Sequence, residues 1–131
     1  MNSQNGQRTD TIWYTWAEDV SREVFDALSS DLRDCLASLA VTLDPYPSPD
    51  EELQAGDDTA LLGLFVGTPF GESLESADPL PCAIRLFIEN LRDEAGDDPV
   101  KFKHEVRTTL LHEIGHYLGL EEDDLVARGL A

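Results

Sequence analysis

The chain is predicted to fold as a single α+β domain, with N-terminal helices packed on a small three- to four-stranded sheet and a long helix beneath it. Three observations carry this prediction. Apolar residues recur at helical spacing from Trp13 to Leu28. Short apolar runs near Leu39, Ala60 and Cys82 have the length and punctuation of strands. Residues 98–119 carry start and stop signals for a helix at both ends. With 131 residues and no internal repeat or linker, the chain has the size of one core-forming unit.

The elements follow in order. Residues 1–12 are polar and read as a flexible tail ahead of a domain spanning 13–131, without the apolar stretch of a secretory signal. Trp13, Trp16, Val20, Val24 and Leu28 lie three or four apart, which predicts an amphipathic helix from about Thr15 to Leu28. Asp31 is the expected cap of a shorter helix carrying Leu32, Cys35 and Leu36. The period then falls to two. Leu39, Val41 and Leu43 alternate with Ala40, Thr42 and Asp44, a half-buried strand that ends at Pro45, Pro47 and Pro49. A helical turn over Pro49–Leu53 and a turn at Gly56-Asp57-Asp58 lead to an apolar strand over Ala60–Val66. Residues 67–81 form a long loop, a length that in a small domain points to function. Cys82–Ile88 is the third strand, with Ile84, Leu86 and Ile88 on one face, and Glu89–Ala95 a short helix. In the last helix Asp98 is the N-cap, Pro99 takes the first position and Gly119 the left-handed end.

Charge excludes several partners. Nine Lys and Arg against 27 Asp and Glu give a net charge of −18, which repels phosphate backbones and anionic lipid, so neither nucleic acid nor a membrane is expected as a partner. No apolar run approaches the length of a membrane span. Cys35 and Cys82 lack C-x-x-C spacing; they read as small buried apolar residues in a cytoplasmic protein. Composition leaves the oligomeric state open, a homodimer included.

The chemistry lies on the last helix. His112-Glu113-Ile114-Gly115-His116 matches H-E-x-x-H. At about 100° per residue, positions four apart share one side of a helix, so both imidazoles can hold one metal ion. Glu113, next to them on the cylinder, is placed to take a proton from a water activated by that metal and to pass it to a leaving amine. An open zinc site takes three protein ligands. The downstream carboxylates are Glu121, Glu122, Asp123 and Asp124, and a chain turning back at Gly119 places Glu122 best, with Asp123 and Asp124 as alternatives. His104 reads as a surface histidine and Tyr117 as a core aromatic. By fold analogy alone, the strand over Cys82–Ile88 is a candidate edge for pairing with an extended peptide.

His112-Glu113-x-x-His116-x-x-Gly119-x-x-Glu122 resembles the H-E-x-x-H-x-x-G-x-x-D pattern of Asp-zincins. More closely, Leu61-Leu62-Gly63-Leu64-Phe65 with Gly67 and Pro69, Pro81 to Phe87, and Val106 to Leu125 resemble a bacterial family of minimal zincin-like metallopeptidases. The resemblance implies a small α+β zincin domain with an active-site helix under a short sheet, one zinc ion (Zn2+), and a peptide or protein substrate. Position 122 is Glu where the family pattern has Asp, one methylene longer, and with Met1 the only methionine there is no Met-turn. The expected site is therefore His112, His116 and Glu122 as zinc ligands and Glu113 as general base. The competing expectation is a catalytically silent zincin fold that binds peptides or regulates.

Overall fold

The computed structural model of the protein describes residues 2–55, 61–68, 82–120 and 124. The element order is α1 (Asn2–Ala27), α2 (Ser30–Cys35), β1 (Ala40–Asp44), α3 (Pro49–Ala55), β2 (Gly63–Val66), β3 (Ala83–Phe87), α4 (Ile88–Glu94) and α5 (Pro99–Leu118). The three strands form one mixed sheet in the order β1-β3-β2. β1 runs parallel to β3, with Val41 opposite Ile84 and Leu43 opposite Leu86, and β2 runs antiparallel to it, with Gly63 opposite Leu86 and Phe65 opposite Ile84. This is the predicted α+β class.

The alternation within strands decides what each sheet face covers. Ile84 and Leu86 are fully buried and share the core with Val24 of α1, Leu91 of α4, and Phe102, Val106, Leu110 and Ile114 of α5. The opposite face carries Arg85, which pairs with Asp44 of β1 at 3.2 Å and with Glu51 of α3. α3 starts with a capping box. The Ser48 N–H donates to Glu51 Oε1 at 2.7 Å, and the Glu51 N–H donates back to Ser48 Oγ at 3.2 Å. The Ser48 backbone N–H holds the Glu51 carboxyl below the ordinary glutamate range, helped by the Ser48 hydroxyl and the Arg85 guanidinium against a burial effect of opposite sign.

Packing of α1 on α5 forms the other half of the core. Trp13 meets Phe102 edge-on, with centroids 4.8 Å apart, and Trp16 edge-on at 5.1 Å. The Arg92 guanidinium covers the Trp13 ring at 4.9 Å and Lys103 the Trp16 ring at 5.1 Å. Long basic stems thus shield the aromatic edge from water.

Four expectations need correction. α1 begins at Asn2, so the polar stretch read as a tail continues the helix. Extending a helix that Trp13–Leu28 already anchor costs far less than nucleating one. The cap of α2 is Ser29, whose Oγ accepts from the Leu32 N–H; Asp31 lies in the first turn instead. Ile88 opens α4 and is not a strand residue. Most consequential, the strand offered as a free edge is the middle of the sheet. β3 is hydrogen-bonded on both sides, so extended peptide has no place on it. The open edges among the described residues are β1 and β2. The turn at 56–58, most of the 67–81 loop and the N-terminal part of the strand expected from Ala60 lie outside the described residues or outside β2.

The boundaries of α5 are as expected. Asp98 Oδ1 accepts from the Val100 and Lys101 N–H groups at 2.9 and 3.1 Å. Gly119 has φ 72°, the left-handed conformation that glycine adopts without a Cβ penalty. The N–H groups of Gly119 and Leu120 return to His116 O and Gly115 O, a Schellman end. Asp98→Ala, which orphans two donors, is expected to cost about 1 kcal/mol of stability in urea unfolding with no change in metal binding.

Candidate metal centre

α5 carries its apolar residues on one side and its histidines on the other. Val106, Leu110, Ile114 and Tyr117 are buried, whereas His112 and His116 are exposed. The two imidazoles stand side by side, ring centroids 4.4 Å apart at an interplanar angle of 64°. Glu113 lies between the two environments and is only 7% exposed. His112, Glu113 and His116 each present a ligand atom, and these atoms lie within 4.8 Å of one another. Among the described residues no other group of His, Cys, Asp and Glu comes together in this way.

The Glu113 carboxylate is held from two sides through the same oxygen. Oε1 accepts the Phe65 backbone N–H of β2 at 3.0 Å and lies 3.3 Å from His116 Nδ1. Oε2 has no hydrogen-bond partner among the described residues. A carboxylate beside Nδ1 favours the tautomer with its proton there, which frees the Nε2 lone pair of His116. A nearly buried carboxylate with one oxygen tied and one open is an arrangement for proton transfer. Two accessible imidazoles beside it form a donor set suited to zinc. The residues present therefore fit the metal.

A family model described as a zincin-like metallopeptidase matches residues 36–130, well over half of the chain. The chain belongs to the zincin-like metallopeptidase family. Curated proteins show no match. The matched part of this zincin-like chain contains the whole sheet and α5, while α1 lies ahead of it and contributes Trp13, Val20 and Val24 to the same core.

Of the expected site residues, His112, Glu113 and His116 are brought together. Glu122 and Asp123 lie outside the described residues. Asp124 is exposed and does not join the group. His104 is exposed and distinct from it, as expected of a surface histidine. Tyr117 is 3% exposed, with its ring 5.5 Å from that of Phe65 and its hydroxyl donating to Cys35 O at 3.4 Å. Burial pushes that phenol up, with Cys82 and Cys35 adding to the shift and Ser38 opposing it. Neither cysteine is in a disulfide and both are half-buried; Cys82 Sγ donates to Thr68 O at 2.8 Å.

Sequence reasoning does not select β2 as part of this site. Gly63 and Phe65 are the residues it passes over. The available signal is slight: a glycine inside an apolar strand marks a close approach of two backbones or a ligand.

Proposed function

We propose that this zincin-like protein is a zinc-dependent peptidase. The observation that carries the reading is the convergence of His112, Glu113 and His116 on one helix face with the carboxylate nearly buried. His112 and His116 hold the ion, and Glu122, just past the turn at Gly119, supplies the third ligand. Zinc bound there lowers the pKa of a coordinated water and polarises the scissile carbonyl.

The chain's own groups do the rest. Glu113 Oε2 takes a proton from the attacking water as its oxygen bonds to the carbonyl carbon. The C–N bond then breaks, and Glu113 returns that proton to the leaving amine. Phe65 N–H keeps Oε1 in place throughout. The substrate is an extended peptide beside β2. The Phe87 N–H bonds to Leu62 O, so by antiparallel alternation Gly63 and Phe65 turn their backbone groups away from β3. The Gly63 N–H and C=O and the Phe65 C=O are thus available for strand addition next to Glu113. The net charge of −18 argues against nucleic acid or anionic membrane as partner. Among the described residues no helix is long and apolar enough to cross a membrane. Two cysteines outside any disulfide fit a cytoplasmic setting.

Titration of zinc into metal-stripped protein tests this directly. The expected result is one tight site per chain that His116→Ala weakens by roughly 10²-fold or more, since loss of a mere outer-shell partner already costs 10–100-fold. Weak binding to surface carboxylates should be equal in both proteins. A titration without a tight site, or with one indifferent to His116→Ala, would remove the peptidase reading in favour of a catalytically silent peptide-binding module.

A further inference from the structure

We propose that β2 is the positioning element for the Glu113 carboxylate, with Gly63 setting how closely β2 lies on α5 and the Phe65 N–H fixing Oε1. This rests on the reading of Glu113 as general base.

The close approach at Gly63 has no slack. A Cβ built there would stand 2.6 Å from Thr109 Cγ2, 3.4 Å from Arg85 O and 3.5 Å from Glu113 Cγ. The last two are ordinary contacts; the first is not. Thr109 lies one helical turn before Glu113 and is 9% exposed, and as a β-branched residue on a helix it has few rotamers to retreat into. A side chain at 63 therefore forces either a rotamer change at Thr109 or a separation of β2 from α5. Phe65 is two residues along the same strand and faces the same helix. Its N–H reaches Glu113 Oε1 at 3.0 Å, the commonest N–H···O separation. A displacement of a few tenths of an ångström at Gly63 lengthens and weakens that bond.

The bond is also an unusual use of an edge strand. Groups on an open edge face water or an added strand. Here one edge donor is directed at a carboxylate 48 residues away in sequence, on the helix that carries both histidines. Fixing Oε1 restricts a side chain with three rotatable bonds and leaves Oε2 as the open oxygen. Reacting groups held to a few tenths of an ångström are what proton transfer at a scissile bond requires. Gly63 and Phe65 touch no reacting atom in this scheme; their effect on proton transfer passes through Glu113.

The test follows the backbone amides by hydrogen exchange in the full-length, 15N-labelled protein, independently of activity. Leu64 is the internal control, because its N–H belongs to the β2–β3 ladder by register. Glu113→Ala is expected to speed exchange at Phe65 about tenfold or more while Leu64 stays protected. Gly63→Ala should do the same. Adding Thr109→Ser, which deletes the Cγ2 that the new methyl would meet, should restore Phe65 protection. Where the wild-type protein hydrolyses peptide, kcat should fall in Gly63→Ala and recover in the double variant, with zinc affinity constant. Phe65 exchange indifferent to Glu113→Ala or to Gly63→Ala would overturn the proposal, as would a double variant that stays unprotected at Phe65 with Leu64 intact. Should Gly63→Ala fail to fold, Glu113→Ala decides the contact alone. A wild-type protein without hydrolysis would overturn the peptidase reading, and the amide series would still decide whether β2 holds the carboxylate.

Discussion

Glu113→Gln is expected to keep its zinc and to lower peptide hydrolysis by roughly 10²–10⁴-fold, the range that a positioned general base contributes. The substitution is close to isosteric. A glutamine Oε1 still accepts the Phe65 N–H, so β2 and α5 keep their spacing, but the amide cannot carry a proton between water and the leaving amine. Zinc titration and turnover of a peptide substrate, measured on the same preparation, separate the two effects. Unchanged turnover would reject the base role, and loss of zinc would mean that the carboxylate holds the ion. A third observable has a definite sign. Glu113 is 7% exposed, and a nearly buried carboxylate costs free energy that a neutral amide does not. The variant should therefore melt at the same or a higher temperature. A protein that loses function and gains stability at one position is retaining an unfavourable group for its chemistry.

Phe102→Ala is expected to be the most damaging substitution in the core. Phe102 is fully buried on α5, packed edge-on against Trp13 of α1 at 4.8 Å, so its removal leaves a cavity at the junction of the two longest helices. Such truncations cost about 3–5 kcal/mol, against a typical total of about 5–15 kcal/mol for a whole domain. Urea unfolding followed by tryptophan fluorescence reads this directly, because Trp13 lies against the deleted ring. Val100→Ala, two residues earlier on the same helix and 78% exposed, should stay within about 0.5 kcal/mol of the parent. A Phe102→Ala cost as small as that control would mean that α1 does not hold α5 in place.

Much of the site is legible in the chain because it is local. H-E-x-x-H, Asp98, Pro99 and Gly119 all lie on or beside one helix, and helical geometry alone puts His112 and His116 on one side. The helical stripe of α1 and the two-residue period of β1 are equally local signals. What escapes is set by distance along the chain. The order β1-β3-β2 depends on which apolar strands can pair over the helices, and nothing in Cys82–Ile88 marks it as central. Similarly, Ser29 and Asp31 are both competent caps, and only the backbone angles at Ser29 select between them. Gly63 is visible as a glycine in a strand, but its neighbour Thr109 is set by the packing of β2 on α5. The third ligand is the least legible. Glu122, Asp123 and Asp124 offer the same chemistry in consecutive positions, and one residue of register decides among them.

The contact between Phe65 and Glu113 also bears on the order in which the protein matures. The histidines are four residues apart, so their pairing arrives with the helix, on the sub-microsecond timescale of helix formation. Glu113 gets its backbone partner only after β2 has docked, which closes a loop of 48 residues and waits on the slower non-local assembly of the sheet. A chain with α5 formed and β2 undocked thus has its histidines paired before its proton carrier is held in place. A form of this protein in which β2 has come away from α5 should be able to bind zinc without cutting the chains around it.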